Sequence, residues 1–350
     1  MEKSTLRIID ANLNRIGEGL RVLEELARLS LDDIDLTQRL KNLRHDISVI
    51  DAGLKTSLLD ARDSLGDVGA DMLAEGEAVG RSKNALVIAN ARRAEESLRV
   101  IEEMARLPEI ALDTEKYKKA RFALYAIEKE LSARVGREDR VGRITGLYAI
   151  IDIAFLEDRD YRVVTSQVIG GGASVVQLRA KELNKRAFLE VAAGMKQLCR
   201  DSGVLFIVND SLDIALAVDA DGLHIGNDDL PADVARRLLA GDKILGCSAR
   251  TVERAVYLAG QGADYLGVGA MYATATKNGA EIVGKEKLTE IKQAVNIPLV
   301  AIGGINHANV KEIITAGADA VAVISAILKS GDIEKATRRL VDSIEGGENG

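Results

Sequence analysis

The apolar residues after position 144 fall into short runs separated by longer stretches of helical spacing. Short apolar runs bounded by turn residues predict strands, and apolar residues that recur every three or four positions predict helices. Eight short runs alternate with helical stretches, at residues 147–151, 174–178, 205–208, 222–225, 243–246, 265–268, 298–302 and 320–324. This alternation predicts an α/β fold, a (β/α)8 TIM barrel, over residues 144–350.

Residues 1–133 show only the helical spacing and contain an internal repeat. Residues 12–29 (NLNRIGEGLRVLEELARL) match residues 90–107 (NARRAEESLRVIEEMARL) at 11 of 18 positions, with an offset of 78. Each copy carries one apolar stripe and is followed by a second helical stretch, at residues 36–50 and 117–131. The repeat predicts an all-α helical bundle of two helix pairs.

Residues 134–143 (RVGREDRVGR) separate these two patterns. They are charged and punctuated by Gly, and the apolar spacing of the preceding helix is lost in them. We therefore predict a linker between a helical domain (residues 1–133) and a barrel domain (residues 144–350).

Charged residues of the repeat also recur at helical spacing, which predicts a solvated face with salt bridges. These residues are Glu18, Arg21, Glu25 and Arg28 in the first copy, and Glu96, Arg99, Glu103 and Arg106 in the second.

Asn12 with Arg15, and Asn90 with Arg93, are expected where each repeat helix begins. Two interpretations remain open there: an anion held by backbone amides and the Arg, or a helix cap beside a surface Arg. The loop at residues 62–69 is either a plain turn or an approach to a phosphate or metal.

Composition argues against several classes of function. The formal net charge of −7 argues against nonspecific binding to nucleic acid or to anionic membranes. Cys199 and Cys247 lie far apart in no metal-ligand spacing, and three histidines cannot build a zinc site by themselves. No apolar run has membrane-spanning length and no signal-peptide core is present, so we expect a cytoplasmic protein. The sequence leaves open whether copies of the chain form a homo-oligomer.

Polar side chains cluster where the predicted strands end, which in this fold is where chemistry takes place. Gln177, Arg179 and Lys181 follow the second strand on one side, because strand side chains alternate with period two. The Arg fork and the Lys charge suit a diphosphate, and the Gln amide can recognise an amide-like or an aminopyrimidine edge. The alternative is a solvated strand end that carries basic residues by chance.

Two carboxylates follow the next two strands. Asp210 comes after Asn209 at the end of the third strand, and Asp229 follows the fourth. Mg²⁺ commonly binds one or two carboxylates together with substrate phosphates. Either Asp alone could be a helix cap, but the pair beside Arg179 and Lys181 predicts a metal-diphosphate site.

The remaining strand ends predict a second anion site. Ser248 follows the fifth strand and either binds a ligand ring or caps the next helix. After the sixth strand comes a loop with two hydroxyls and a cation (residues 274–277), and backbone amides after the last two strands, at Gly304, Ile324 and Ser325, form a phosphate cradle in this barrel class. Two anion sites in one cleft indicate a transferase that joins two activated substrates.

The motifs of the barrel domain resemble those of the thiamine phosphate synthase family. They are GGASVVQLRAK, FIVND, GLHIGNDD, GCSA, GADYLGVGAMYATATK, VAIGGI and VISAI, in that order within residues 144–345. Residues 1–133 resemble ThiD2, a helical domain sometimes found fused in front of such synthases and suspected of a role in pyrimidine phosphorylation.

The resemblance implies a reaction and a cofactor. The family condenses 4-amino-5-hydroxymethyl-2-methylpyrimidine diphosphate with 4-methyl-5-(2-phosphoethyl)thiazole, and it releases thiamine phosphate and diphosphate with the help of Mg²⁺. No strong nucleophile is required if the diphosphate leaves first and the aminopyrimidine stabilises the resulting cation.

Position by position, the resemblance implies three groups of site residues, of which Arg179, Lys181 and Lys277 are expected to be catalytic. The pyrimidine diphosphate would contact Gln177, Leu178, Arg179, Ala180, Lys181, Asn209, Ser248 and Lys277. Asp210 and Asp229 would hold Mg²⁺. The thiazole phosphate would contact Thr274, Ala275, Thr276, Gly304, Ile324 and Ser325.

Alternatives remain for both domains. The barrel could be a thiazole tautomerase of the same fold, which does not need the full diphosphate and metal set, or a noncatalytic sensor of phosphate ligands. The helical domain has either a structural role or a pyrimidine phosphate kinase activity, although it contains no Walker-type phosphate loop.

Overall fold

The structure is a computed structural model, and it describes residues 2–63, 82–273 and 281–346. It divides into two compact units, Met1–Glu138 and Asp139–Gly350. Over the described ranges, none of the helices combines the length and the apolar character needed to span a bilayer.

The first unit is helical. Its described part contains α1 (Lys3–Glu25), α2 (Ile34–Ser48), α3 (Ala52–Ala61), α4 (Lys83–Met104) and all but the last three residues of α5 (Thr114–Val141), and a short π-helix (Leu26–Ser30) continues α1. Side-chain caps begin three of these helices: Asp33 accepts from the amide of Leu36, and Asp51 and Ser82 cap α3 and α4 in the same way.

The predicted apolar stripes are the buried faces of the two repeat helices. Helices α1 and α4 pack against each other, so the two copies of the repeat lie side by side. The stripe residues Ile16, Leu20, Leu23, Ala91, Ala94, Leu98 and Ile101 are all fully buried. The contact is close because Gly19 has no side chain: a Cβ there would lie 2.8 Å from the carbonyl oxygen of Asn90.

The expectation that Asn12 and Asn90 begin their helices is wrong. Helix α1 starts at Lys3 and α4 at Lys83, so both residues lie in helix interiors. Each side chain is buried and donates to the carbonyl oxygen four residues earlier, that of Ile8 or Leu86, at 2.8 Å. These positions therefore provide neither a cap nor the free helix amides that an anion would need.

The helices also differ from the predictions in two ways. Helix α3 is a fifth helix that the repeat pattern does not predict, and α5 does not end near residue 131 but continues to Val141 through most of the predicted linker. Helix α5 extends because Val135 continues its buried stripe, and a single Gly at position 136 is not enough to end a helix. The domain boundary itself stays a prediction.

The second unit is a closed barrel of eight parallel strands, which confirms the predicted fold class. The strands pair in chain order, and β8 closes onto β1. They are β1 (Gly146–Asp152), β2 (Val175–Arg179), β3 (Leu205–Asn209), β4 (Gly222–Ile225), β5 (Ile244–Ala249), β6 (Tyr265–Gly269), β7 (Leu299–Ile302) and β8 (Ala320–Val323).

Helices cover the outside of the barrel. Those in the described ranges are α6 (Tyr161–Gly170), α7 (Lys185–Asp201), α8 (Leu212–Ala217), α9 (Ala232–Leu238), α10 (Val252–Gly260), α11 (Gly284–Ala294), α12 (Val310–Thr315), α13 (Ser325–Leu328) and α14 (Ile333–Ile344). A 3₁₀ turn (Ile153–Phe155) follows β1.

Strand residues alternate between two cores, as period two requires. In β2, Val176 and Leu178 belong to the core between strands and helices, whereas Val175 belongs to the core inside the barrel. Gln177 and Arg179, on the inward side, line a cavity at the carboxyl end of the barrel. The alternation therefore places the inward-facing polar side chains of the strand ends at the barrel mouth.

The close helix contact at Gly19 predicts the effects of two substitutions. Gly19→Ala places a methyl group against the backbone of Asn90, so we expect the helical unit to lose about 1–3 kcal/mol of unfolding free energy. Gly17→Ala is the matched control on the same helix, because a Cβ there meets no atom within 4 Å. It should be neutral or stabilise by up to about 1 kcal/mol. Equal effects in denaturant unfolding of the full chain would contradict the close contact.

Candidate active site

A cavity of about 580 Å³ opens at the carboxyl ends of the barrel strands. Parallel strands in a closed barrel all end on one rim, so side chains distant in sequence meet there. Ten residues proposed from the sequence line this cavity: Gln177, Arg179, Lys181, Asn209, Asp210, Asp229, Ser248, Gly304, Ile324 and Ser325. The predicted convergence of these residues on one mouth is therefore present.

Two other proposed residues, Leu178 and Ala180, do not line the cavity. The side chains of Leu178 and Ala180 are buried in the core between strands and helices, so they could meet a ligand only through their backbone. Thr274, Ala275, Thr276 and Lys277 lie outside the described residues. Their proposed roles stay predictions.

Arg179 is held in place by a buried acid that sequence reasoning missed. Its guanidinium forms an ion pair with the carboxylate of Asp152, which is 1% exposed. The two residues are paired in register at the ends of β1 and β2. Asp152 also accepts from the amide of Ala154 at 3.2 Å, so the acid itself is fixed. A guanidinium fixed in this way is oriented before any anion arrives.

Asp210 and Asp229 form a carboxylate pair beside a lysine. The Nζ atom of Lys181 lies 3.3 Å from Oδ2 of Asp210, and Asp229 accepts from the amide of Gly226 at 2.7 Å. Burial raises the pKa of Asp210, and the neighbouring Asp229 raises it further, whereas Lys181 opposes the change. Asp210 has a φ of +63°, and its amide donates to the carbonyl oxygen of His224 at 2.8 Å. Lys181 therefore only partly compensates the negative charge of the two carboxylates.

The carboxylate pair fits a divalent cation that is shared with a substrate. Nowhere in the described part of the chain do three or more His, Cys, Asp or Glu side chains group so as to hold a metal ion. Two carboxylates suffice for Mg²⁺ when substrate phosphates and waters complete its octahedral shell. The raised pKa of Asp210, caused by burial and then by the neighbouring Asp229, fits this assignment because a bound cation would favour the ionised form of both carboxylates.

Below the carboxylates, the barrel interior holds a polar layer that sequence reasoning also missed. Gln177 donates to the hydroxyl of Tyr148 at 2.8 Å, and the hydroxyls of Tyr148 and Tyr265 are 2.8 Å apart. Tyr265 lies 3.0 Å from Nδ1 of His224, whose Nε2 is 3.1 Å from Oγ of Ser248. Burial lowers the pKa of His224 to about 4, so the imidazole is neutral at physiological pH.

The opposite side of the cavity is lined by backbone. Gly303 and Gly304 follow β7 with φ values of +102° and +68°, a conformation that favours glycine. Ile324 and Ser325 follow β8, and Ser325 begins the short helix α13. The first amides of a helix have no partner within it, so they can bind an anion oxygen.

Sequence reasoning missed Asp152, Tyr148, Tyr265, His224 and Arg250 among the residues of this site. Arg250 lines the cavity directly after β5 and adds a cation to the rim. Arg250 could have been identified from the sequence, because it lies shortly after a predicted strand. The tyrosines and the histidine gave none, because aromatic residues inside strands are typical of apolar core positions.

In the helical unit, six of the eight repeated charges form the predicted ion pairs: Arg21, Glu25, Arg28, Arg99, Glu103 and Arg106. Arg28 pairs with Glu25 at 2.8 Å, and Arg99 pairs with Glu103 at 2.5 Å. Two further acids at equivalent repeat positions are buried and reach across to the following helix: Glu24 meets Arg44 at 2.8 Å, and Glu102 meets Arg121 at 2.9 Å. These pairs join each repeat helix to its neighbour.

Comparison with known families matches both parts of the chain. A family model described as thiamine monophosphate synthase matches residues 147–327. A second model, described as the ThiD2 family, matches residues 7–130. The two matches correspond to the barrel and to the helical unit.

Similar proteins extend over nearly the whole chain. The thiamine-phosphate synthase of Synechocystis sp. is 37% identical over 340 residues, which covers 97% of this chain and 96% of that protein. The thiamine-phosphate synthase of Nostoc sp. is 34% identical over 344 residues, covering 98% and 95%. Among solved structures, thiamine phosphate pyrophosphorylase from Pyrococcus furiosus shares 37% identity with a TM-score of 0.54, covering 58% of this chain and 98% of that one. The combination of both units in one chain is therefore shared with the full-length relatives.

The raised pKa of Asp210 predicts that this side chain lowers stability. An acid whose folded-state pKa is raised loses stability as pH rises through that pKa, because the unfolded chain ionises more easily. Without Mg²⁺ and substrates, Asp210→Asn should therefore raise the midpoint of thermal unfolding at pH 7, and the gain should shrink toward pH 4.

The matched control is Asp213→Asn. A hydrogen bond from Lys185 at 2.8 Å lowers the pKa of Asp213, so its ionised form contributes stability above the usual Asp pKa. Asp213→Asn should lower the midpoint slightly at pH 7. A loss of stability in Asp210→Asn under the same conditions would contradict the electrostatic account of the carboxylate pair.

Proposed function

This chain belongs to the thiamine monophosphate synthase family, and we propose how its cavity side chains divide that reaction between them. The enzyme is a transferase that joins 4-amino-5-hydroxymethyl-2-methylpyrimidine diphosphate to 4-methyl-5-(2-phosphoethyl)thiazole and forms thiamine phosphate and diphosphate. The observation that carries the assignment of roles is the placement of two cations beside two carboxylates at one barrel mouth.

Arg179 and Lys181 bind the diphosphate and neutralise the charge that develops as it leaves. Arg179 is pre-oriented by Asp152, and Lys181 projects from the same rim beside Asp210. Groups that are already oriented stabilise a developing charge without reorganisation at the moment of reaction. Lys277 is assigned to the same task by the family motif alone.

Asp210 and Asp229 are the residues that would hold Mg²⁺, which supplies Lewis-acid stabilisation of the departing diphosphate. Asp229 is fixed by its hydrogen bond from the amide of Gly226, and Asp210 by its backbone bond to His224. Neither carboxylate depends on substrate for its position.

Gln177, Asn209 and Ser248 contact the pyrimidine ring and its diphosphate arm. They lie on β2, β3 and β5, deep in the cavity and close to the polar layer inside the barrel. Gly304, Ile324 and Ser325 contact the thiazole phosphate through backbone amides on the facing rim, so the two substrates enter opposite sides of one cavity.

The loss of diphosphate before carbon–nitrogen bond formation fits this set of side chains. Among the described cavity residues, the cations and carboxylates suit stabilisation of a leaving group, whereas the half-buried His224 is engaged on both nitrogens. The electron-rich aminopyrimidine stabilises the methylene cation, and the thiazole nitrogen then captures it.

A thiazole tautomerase would not need Arg179, Lys181, Asp210 and Asp229 together at one cavity. For the helical unit we propose a structural role, which its inter-helix ion pairs support. A pyrimidine phosphate kinase activity remains the alternative, and ADP formation by the full chain from ATP and the pyrimidine monophosphate would reveal it. We also propose a cytoplasmic location, which the free Cys199 and Cys247 support.

The function is tested by incubating the purified full chain with both substrates and Mg²⁺. Thiamine phosphate and diphosphate should appear in equal amounts, and only when both substrates are present. Binding of both substrates without product would support the sensor alternative instead.

Removal of the oriented cation should slow the reaction without unfolding the barrel. Arg179→Ala should lower kcat by about 10²- to 10³-fold, because one oriented charge facing the leaving group is lost. Arg186→Ala is the matched control, since Arg186 lies on α7 with its side chain 91% exposed. Comparable turnover in the two variants, both folded by circular dichroism, would remove Arg179 from the catalytic set.

Neutralising one carboxylate should raise the Mg²⁺ requirement. Asp210→Asn keeps the shape and tolerates the positive φ, but it removes a charged ligand. We expect the Mg²⁺ concentration for half-maximal rate to rise at least about tenfold, whereas Asp213→Asn should leave it unchanged. An unaltered Mg²⁺ dependence in Asp210→Asn would overturn the assignment of this ligand.

A further inference from the structure

Five side chains that line the cavity form one hydrogen-bonded chain across the inside of the barrel. They run from Gln177 on β2 through Tyr148, Tyr265 and His224 to Ser248 on β5, with links of 2.8, 2.8, 3.0 and 3.1 Å. Only the two ends, Gln177 and Ser248, are proposed to meet a substrate. The three central residues have no role in the proposed reaction.

The barrel is shaped to hold this chain. Tyr148 and Tyr265 are each 1% exposed, and Gln177 is 3% exposed. A Cβ at Gly246 would overlap the ring of Tyr265, and a Cβ at Gly267 would lie 2.9 Å from the ring of His224. Two glycines in strand interiors, where glycine is unfavourable, thus make room for the two rings.

The hydrogens along the chain must all point the same way. Each tyrosine hydroxyl has one hydrogen to donate, and a neutral imidazole carries one hydrogen on either Nδ1 or Nε2. The Gln177 amide donates to Tyr148, so for each hydroxyl hydrogen to have an acceptor within the chain, Tyr148 must donate to Tyr265 and Tyr265 to Nδ1 of His224. The histidine hydrogen then lies on Nε2 and is donated to Ser248.

Neutral ring groups keep this order at physiological pH. Burial raises the pKa of both tyrosines, so neither ionises near pH 7, and both ring nitrogens of His224 face neutral hydroxyl groups. Reversing one member alone would leave two lone pairs or two hydrogens facing each other in a buried site, which is costly. The chain therefore has two self-consistent polarities, and it changes between them only as a whole.

The polarity determines what each end offers to a ligand. In the polarity that starts with the Gln177 amide as donor, Gln177 keeps Oε1 as an acceptor, while Ser248 accepts from His224 and keeps its hydroxyl hydrogen as a donor. A ring with an amino group at one end and an unprotonated ring nitrogen at the other matches this pattern. The 4-oxo form of the same ring would require the Gln177 end to become a donor.

We infer that Tyr148, Tyr265 and His224 are positioning residues that lock the acceptor at Gln177 to the donor at Ser248, and so make the site select an aminopyrimidine over its 4-oxo counterpart. This inference rests on the proposed contacts of Gln177 and Ser248 with the pyrimidine. Breaking the chain in its middle uncouples the two ends, because Gln177 and Tyr148 can then reverse while His224 and Ser248 do not.

The first test uses Tyr265→Phe, which removes one hydroxyl and retains the ring. The measured quantity is the ratio of kcat/KM for the 4-amino pyrimidine diphosphate to that for its 4-oxo analogue. We expect the ratio to fall about tenfold or more in Tyr265→Phe, because reversal at the Gln177 end no longer breaks a buried hydrogen bond. Tyr257→Phe, at an exposed position on α10, should leave the ratio unchanged.

The second test needs no substrate and reads the polarity directly. Nitrogen NMR of the ligand-free full chain, with the His224 signal identified by its loss in His224→Asn, should show the Nε2–H tautomer. In Gln177→Glu the introduced carboxylate can only accept, so Tyr148, Tyr265 and His224 must reverse and the tautomer must become Nδ1–H. The spectrum is taken at a pH at which the carboxyl ¹³C shift shows the new group to be ionised.

The outcomes separate this inference from the proposed function. If the wild type forms thiamine phosphate but Tyr265→Phe keeps its discrimination, or if the tautomer stays Nε2–H in ionised Gln177→Glu, the coupling is overturned and the function stands. If the tautomer reverses as expected but the wild type forms no product, the coupled chain stands and the proposed function falls.

Discussion

Closure of eight parallel strands onto a single rim is the constraint on which the whole site depends. Each strand contributes only one or two polar side chains at its carboxyl end, and no strand alone forms a site. Because β8 pairs with β1, residues separated by more than a hundred positions, such as Arg179 and Ser325, line the same cavity. The inward and outward alternation along each strand then separates the cavity residues from the outer core.

Opposite charges at this rim hold each other before a ligand arrives. The buried Asp152 fixes Arg179, while Lys181 faces Asp210 and only partly offsets its repulsion with Asp229. The carboxylate pair is therefore destabilised in the free protein, a condition that binding of a cation would relieve. Below it, an uncharged layer of hydrogen-bonded side chains carries no such excess charge. The site thus places charged side chains at the rim, where the diphosphate is proposed to bind, and uncharged side chains below them, where the pyrimidine ring is proposed to bind.

Much of this architecture is predictable from the sequence because it follows from local patterns. The eight strands were expected at nearly their observed positions, since each is a short apolar run bounded by turn residues, and the strand-end residues could then be assigned to one rim. Asp152 escaped notice because its importance comes from its register opposite Arg179, which only pairing reveals. Tyr148, Tyr265 and His224 escaped for a similar reason: their sequence context is that of core residues, and their function arises from contacts between strands. In the helical unit, the same helical spacing continues well upstream of Asn12, so the pattern of one repeat could not locate the helix start.

The central claim is that the cations and carboxylates at one barrel mouth bind a diphosphate together with Mg²⁺, beside a separate site for the thiazole phosphate. A crystal structure of the full chain with Mg²⁺, diphosphate and thiamine phosphate measures this most directly. The account predicts diphosphate oxygens within hydrogen-bond distance of Arg179 and Lys181, Mg²⁺ at about 2.1 Å from oxygens of Asp210 and Asp229, and the product phosphate at the amides after β7 and β8. A diphosphate bound away from Arg179, with both carboxylates unligated, would contradict it.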